Sequence, residues 1–324
     1  MVDRCPPRTL HRPCDVVAQH DRGCGSGQVR SDHRAGGQQV SSNNLLSIQG
    51  LCATARDVNG GVIQILRDVN LELEEGDRLG IIGQSGSGKT TLIRAIVGLE
   101  HPTIKIESGT IKFRGETMYS DSCDRRAELR GSTLGAIFQS AIRSIYPFRR
   151  IGSQLREIVK FHHPELDKAQ SLNRIEQLLR GMSLKDTDRI LRSYPHQVSG
   201  GQLQRVAIAL AMLADPDVLM ADECTSALDK GTEADVVRLL DRFTNDGRSL
   251  LFVTHDLRLA GRVCDRMLVL LRGEVQDSGA AAEILAGACT EYTRSLLEAM
   301  PPWKPADGSW PADSVVELAD RTRS

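Results

Sequence analysis

Apolar residues recur along this chain with two different periods, and two stretches show neither. Leu45-Leu46-Ser47-Ile48 reads as a strand, and Val69-Asn70-Leu71-Glu72-Leu73 alternates with period two, as a half-buried strand does. Glu75-Gly76-Asp77 supplies a turn, after which Arg78-Leu79-Gly80-Ile81-Ile82 reads as a buried strand. From Lys89 the run Thr90-Thr91-Leu92-Ile93-Arg94-Ala95-Ile96-Val97 predicts a helix closed by Gly98. Apolar residues return at helical spacing in Ile151–Val159 and Leu172–Met182, predicting a helical insert over about 140–197. Val218–Asp222, Leu250–Thr254 and Met267–Leu271 are short apolar runs, each fitting a buried parallel strand.

The two unpatterned stretches are the ends. Residues 1–43 are rich in Arg, Gly, Ser, Gln and His and have almost no apolar periodicity. Such a segment cannot bury enough apolar surface to offset its ordering entropy, so a disordered extension is expected there. Its arginines leave open a tether to an anionic surface, and a natural translation start near Val40 or Leu45 is a further alternative. It holds no part of any motif and is expected to be dispensable. After Met300, Pro301-Pro302-Trp303-Lys304-Pro305 has loop chemistry, which makes 301–324 a tail and 44–300 the folded domain.

With 324 residues, 26% charged and 40% apolar, the chain has the composition of a soluble globular protein. A net charge of −1 gives no electrostatic reason to expect nucleic acid as the main partner. No stretch approaches the ~18–20 uninterrupted apolar residues of a membrane span, and the start, Met1-Val2-Asp3-Arg4-Cys5-Pro6-Pro7, lacks an apolar signal-peptide core. The chain is expected to stay in the cytosol, with any membrane role reached through a partner. The eight cysteines form no C-x-x-C pair and no zinc-finger spacing, which fits scattered reduced thiols.

The chemistry is concentrated in three separated stretches. Gly83-Gln84-Ser85-Gly86-Ser87-Gly88-Lys89-Thr90 matches the phosphate loop G-x-x-x-x-G-K-[ST], and it sits between the predicted strand and helix as that loop requires. Its glycines let backbone N–H groups point at phosphate oxygens; Lys89 is placed for the β- and γ-phosphates and the Thr90 hydroxyl for Mg²⁺. Val218-Leu219-Met220-Ala221-Asp222-Glu223 is an apolar strand ending in two acids. Alone these would pass for surface acids. After a phosphate loop, Asp222 can hold Mg²⁺ and Glu223 can orient or deprotonate the water that attacks the γ-phosphate. Ser199-Gly200-Gly201-Gln202 opens the good helix Leu203–Ala211. By itself Ser-Gly-Gly is a common turn, but two glycines at a helix start also expose N–H groups and a positive dipole end, a second anion site. Two such sites suggest a nucleotide shared between two copies of the chain.

Taken in order, these stretches resemble the ATP-binding cassette (ABC) ATPase family over roughly residues 45 to 300. The matching parts are the phosphate loop, the signature motif, the acidic strand end, the Ser226-Ala227-Leu228-Asp229 loop and a switch histidine. The resemblance implies an α/β fold: a P-loop NTPase core of mostly parallel sheet flanked by helices, with an antiparallel β edge and a helical subdomain. It implies two cassettes closing head-to-tail on two ATP molecules. It implies that ATP is held by Gly83, Gln84, Ser85, Gly86, Ser87, Gly88, Lys89, Thr90 and Thr91, with Ser199, Gly200, Gly201, Gln202 and Asp229 completing the nucleotide-binding set. Thr90, Gln139 and Asp222 are then the Mg²⁺ residues, and Glu223, His255 and Gln139 the catalytic ones. Gln139 enters on the family's Q-loop pattern in Ile137-Phe138-Gln139, and His255 on the switch pattern in Phe252-Val253-Thr254-His255-Asp256.

Within the family the chain resembles the dipeptide, oligopeptide and nickel importers. Tyr194-Pro195-His196-Gln197 before the signature, the stretch Ile104–Gly115, and Glu291-Tyr292-Thr293-Arg294-Ser295-Leu296-Leu297 carry that likeness. It implies transmembrane permease subunits and a second ATPase subunit, identical or paralogous, as partners, and an extracytoplasmic solute-binding protein as an indirect one. The place implied is peripheral, at the cytoplasmic face of the inner membrane, with motion passed on through the helical insert and the segment after Gln139. The chain departs from the family in three ways: Val198 replaces the usual Leu of the signature, Cys224 replaces the usual Pro after the acid, and Asn59-Gly60-Gly61-Val62-Ile63 stands where an adenine-stacking aromatic is usual, leaving Val62 to pack on the ring. Cys224 reads as a small buried filler rather than a redox switch. The cysteine-rich extension of many relatives is absent, so no iron–sulfur cluster is expected. A soluble non-transport ABC-type ATPase would need a long coiled-coil insert or tandem cassettes. A small-molecule P-loop kinase would lack the second anion site, and a regulatory cassette without catalysis would lack part of the set Lys89, Asp222, Glu223 and His255.

Overall fold

The run Arg78–Ile82 is apolar nearly throughout because it becomes β3, inside a sheet that is covered on both faces. The computed structural model describes residues 44–56, 60–139, 145–226, 228–287 and 289–299. These fall within the unit Ser41–Ser324, while the other unit, Met1–Val40, lies outside the described residues. The expectations for 1–43 and 301–324, and for 140–144 just after Gln139, also fall outside them.

Six strands form the central sheet in the order β11-β10-β3-β9-β8-β7. They are β7 (Leu134–Ile137), β8 (Val218–Asp222), β9 (Ser249–Thr254), β10 (Arg266–Leu271) and β11 (Glu274–Ala280), with β3 among them. Each neighbouring pair is parallel except β10 with the edge strand β11. A second sheet, β2-β1-β4-β5-β6, is antiparallel throughout. It is built from β1 (Asn44–Arg56), β2 (Val62–Glu74), β4 (Ile104–Phe113), β5 (Glu116–Ser120) and β6 (Cys123–Asp124). The antiparallel part of the fold is therefore a whole sheet as well as an edge. The alternating run at Val69–Leu73 is the inner half of β2, and its Val69, Leu71 and Leu73 are buried.

Strand alternation divides the apolar residues between cores on the two sides of the central sheet. Val218, Met220, Leu251, Val253, Leu79, Ile81, Leu268 and Leu270 join one core with α1 (Lys89–Val97) and the antiparallel sheet. Leu219, Ala221, Leu250 and Phe252 face the other way. They meet α2 (Ile151–His162), α3 (Lys168–Gly181), α4 (Thr187–Arg192), α5 (Gly200–Met212) and α6 (Lys230–Asn245). The predicted helical insert corresponds to α2, α3 and α4. A third, smaller core joins Ile82, Met267 and Val269 to α7 (Leu257–Val263), α8 (Ala281–Leu285) and α9 (Glu291–Glu298). Among the described residues no helix is long and apolar enough to cross a membrane.

The far end of α1, the helix that follows the phosphate loop, is anchored by two arginines. Gly98 closes it with φ 64°, as predicted, and its N–H bonds the Arg94 carbonyl. The buried Arg126 guanidinium donates to the Ala95 carbonyl at 2.6 Å, pairs with Glu100 and with Asp124, and stacks 4.3 Å from the Tyr119 ring centre. Arg130 donates to the Val97 and Gly98 carbonyls at 2.7 and 2.5 Å. Carbonyls that the last helical turn leaves unpaired thus meet cations, which also suits the negative end of the helix dipole. Arg126→Ala strips partners from a buried carbonyl and a largely buried carboxylate together. It is expected to cost roughly 3 kcal/mol in urea unfolding. A loss under about 1 kcal/mol would show that α1 does not depend on this anchor.

Candidate functional site

The phosphate loop leaves β3 at Ile82 and enters α1 at Lys89. Its course needs glycine for two reasons. A side chain at Gly83 would place its Cβ 2.3 Å from the Leu270 carbonyl. Gly88 has φ 105°, and a Cβ there would meet the Ile65 carbonyl at 3.0 Å. The Lys89 ammonium folds back over the loop, donating to the Gly83 and Gln84 carbonyls at 2.6 and 2.9 Å. Burial pushes its pKa below the usual lysine range, while the Glu223 and Asp222 charges push the other way. The Ser87 hydroxyl is buried without a partner.

The loop forms one wall of a cleft of about 1020 Å³. Gly83 through Thr91 line it together with Gln139, Glu223 and His255, so three residues distant in sequence come together here. Gln139 donates from Nε2 to Glu223 Oε2 at 3.0 Å, and His255 Nδ1 lies 3.5 Å from Glu223 Oε1. Glu223 itself has φ 48°, a left-handed conformation that side chains other than glycine rarely adopt. Its N–H is held by the Val253 carbonyl at 2.9 Å, and its carbonyl accepts from the Ser226 N–H and hydroxyl. Such strain persists only where the surroundings over-determine it.

Asp222 ends β8 almost completely buried, and neither carboxylate oxygen has a hydrogen-bond partner. Burial pushes its carboxyl above the ordinary range, and the Glu223 charge adds to this. The Thr90 hydroxyl, close by but outside hydrogen-bond geometry, and the Lys89 charge oppose it. An unpartnered buried carboxylate beside the loop hydroxyl is the donor set a hard cation takes.

Ser199, Gly200, Gly201, Gln202 and Asp229 do not line this cleft. Ser199 caps α5: its hydroxyl accepts from the Gln202 N–H at 3.3 Å, and the Gln202 side chain accepts from the Ser199 N–H at 3.1 Å. Asp229 caps α6, its carboxylate accepting from the Thr232 N–H and hydroxyl, and those bonds hold its pKa down. Ala227 of the Ser-Ala-Leu-Asp loop lies outside the described residues.

Part of the cleft wall was not legible in the motifs. Ile63, Gln64, Ile65 and Arg67 of β2, Arg272 after β10, and Leu296 of α9 also line it. Ile63, more than half exposed, is a lining residue, and its neighbour Val62 is not. The stretch that lacks the aromatic therefore borders the cleft through Ile63 and not through Val62. Leu296 belongs to the Glu291–Leu297 stretch noted above only for its likeness to importers. Cys224 is fully buried, and burial pushes its thiol up to about 12, so it is a packed filler with no thiolate to offer.

A parallel sheet with a phosphate loop at the carboxyl end of its central strand defines a P-loop nucleotide-binding cassette. The comparisons with known proteins narrow the class. Residues 66–226 match the ABC transporter family. The chain is 34% identical over 265 residues to the oligopeptide transport ATP-binding protein OppD of Lactococcus lactis subsp. cremoris, covering 81% of this chain and 77% of that one. It is 35% identical over 247 residues to the oligopeptide transport ATP-binding protein AmiE of Streptococcus pneumoniae, covering 76% and 69%. A dimeric ATP-binding cassette, solved in a post-hydrolysis state with ADP and Pi, superposes with a TM-score of 0.64 at 28% identity, covering 73% of this chain and 98% of that one. The chain belongs to the ABC transporter family, as an ATP-hydrolysing cassette.

The Asp222 environment has a consequence for stability. A carboxyl whose folded pKa is raised holds its proton more tightly folded than unfolded. Its contribution to stability is full below the ordinary carboxylate range, about pH 4, and is lost as pH rises through the raised value. Asp222→Asn removes the buried charge and is expected to stabilise the nucleotide-free chain at neutral pH by about 1–3 kcal/mol. Thermal unfolding of both proteins from about pH 4 to pH 8 checks it, with the gap widening as pH rises. An Asn variant less stable than the parent at neutral pH would contradict it.

Proposed function

We propose that this chain is the ATPase subunit of an importer for di- or oligopeptides, working at the cytoplasmic face of the inner membrane. The observation that carries the site reading is the Glu223 carboxylate, held between Gln139 and His255 at the open side of the phosphate loop. In this reading the loop N–H groups and Lys89 hold the β- and γ-phosphates of ATP. Lys89 gives up its two backbone partners to do so. Glu223 accepts the proton of the attacking water, Gln139 orients that water, and His255 donates toward the γ-phosphate. Thr90, Asp222 and Gln139 are the residues that would hold Mg²⁺, which when bound neutralises charge on the phosphate oxygens. The two free oxygens of Asp222 support that assignment. Ile63 and Leu296, which also line the cleft, offer aliphatic surface for the nucleobase in place of an aromatic stack.

Ser199, Gly200, Gly201 and Gln202, with Asp229, serve the nucleotide of a second cassette, identical or paralogous. Their position outside the chain's own cleft supports this, as does the dimeric form of the cassette reported above. Permease subunits receive the motion, with a solute-binding protein acting through them. The peptide-transport names of the relatives favour peptides over nickel as the solute.

Glu223→Gln is expected to keep ATP binding, trap a closed dimer and slow hydrolysis by ~10²–10⁴-fold. Near-normal turnover would remove Glu223 from its role. Ser199→Arg is expected to leave ATP binding by the single chain intact and to block closure. For an identical pair, mixing Ser199→Arg with Lys89→Ala chains rebuilds one composite site from the intact Lys89 of one and the intact Ser199 of the other. Partial recovery of ATPase activity supports the shared site, whereas loss of ATP binding in the single Ser199→Arg chain rules it out. The solute is tested by purifying the cassette with its membrane partners and measuring ATP hydrolysis with peptides or Ni²⁺ added to the solute-binding protein. Stimulation by Ni²⁺ and not by peptides would overturn the peptide assignment.

A further inference from the structure

We infer that Gln204 is a positioning residue for Glu223, an inference that rests on the catalytic reading of Glu223 given above. Gln204 is the one polar side chain among the buried residues of α5, which are otherwise Leu203, Val206, Ala207, Ile208, Ala209 and Met212. A buried amide is costly unless bonded, so its partner matters. That partner is the carbonyl of Cys224, which accepts from Gln204 Nε2 at 2.8 Å. Cys224 directly follows Glu223, whose backbone is left-handed.

The strained turn is held from three sides. The Val253 carbonyl takes the Glu223 N–H from β9, and Ser226 donates to the Glu223 carbonyl from within the turn. Gln204 holds the next peptide from α5. Leu228, at the far end of the turn, packs against the apolar core that α5 helps to build. Without the Gln204 donor, the peptide after Cys224 loses its only side-chain anchor among these bonds. The Glu223 carboxylate then no longer has a fixed aim between Gln139 and His255. Misplacement of a reacting group by about 1 Å costs up to ~10²-fold in rate, so a positioning bond is visible in turnover before it is visible in binding.

The test is Gln204→Met, which keeps the length and apolar contact of the side chain and removes the donor. Expected is a fall in kcat of about 10- to 100-fold with KM and Kd for ATP within about twofold of the parent. In a Glu223→Gln background, where the aimed group no longer accepts a proton, the same substitution is expected to change the residual single-turnover rate by less than about twofold. A kcat within about twofold of the parent, an equal loss in both backgrounds, or a loss that lies in Kd instead would each overturn the proposal. Should Gln204→Met not fold, Ser226→Ala removes an exposed donor to the same turn without touching the core, and a smaller fall confined to kcat is expected. An unchanged kcat there would show that the turn needs no such holding. If Glu223→Gln itself turns over ATP normally, the catalytic reading has failed, and that outcome is separate from a failure of Gln204 alone.

Discussion

The parallel pairing of β7, β8, β9, β3 and β10 is the constraint on which the cleft depends. Ile82 pairs with Thr254 on one side and with Val269 on the other, while Asp222 pairs with Val253 and Ile137 with Ala221. Because the strands point the same way, the residues that leave their ends leave along one edge of the sheet. Gln139, Glu223, His255, the phosphate loop and Arg272 follow one another there, although their order in the sequence is different. Ligands in open α/β sheets bind at this carboxyl edge for that reason. A slip of one residue would exchange the two faces of a strand. With separate apolar cores on the two sides, such a slip would expose one set of side chains to the wrong neighbours.

That rigid edge carries groups that are poorly satisfied. Asp222 is buried without partners, Ser87 likewise, and Glu223 is held in a left-handed backbone. Each departs from what folding alone would favour; Ser87 and Glu223 line the cleft, and Asp222 is buried directly beside Glu223. The bonds that keep them in place come from elsewhere: β9 through Val253, α5 through Gln204, and the β10–β11 turn, whose Gly273 N–H donates to the Ser87 carbonyl at 2.9 Å. A ligand that bound these groups would supply their missing partners and stabilise the folded chain by mass action.

Part of the cleft wall is made by parts of the fold that carry no motif. β2 reaches it from the antiparallel sheet, and α9 is fastened to β11 by Asp277, whose carboxylate accepts from the Thr290 N–H and from the Thr290 and Thr293 hydroxyls. This clamp gives the short α9 a fixed seat, with Thr293 fully buried and Leu296 against both the third core and the cleft.

The chemistry of the phosphates was legible in the residues alone, because backbone cradling needs glycine at set intervals and a lysine and hydroxyl just after them. The strands β3, β8, β9 and β10 were legible too, since a strand buried on both faces must be apolar throughout. Short β7, with Gly135 inside Leu134–Ile137, was not, and neither were β5, β6 and β11, which are short and carry few apolar residues. The helices after β8 were not predicted either, although α6 has Val236, Val237, Leu240 and Phe243 at helical spacing and buried, a signal present in the sequence itself. Gln139 and His255 carry no local signal of their own and were placed by resemblance. Ile63, Leu296 and Gln204 became visible only in the tertiary structure. An exposed Ile, a helical Leu and a buried Gln are ordinary residues, and what they do is set by which atom of another element the fold brings within reach.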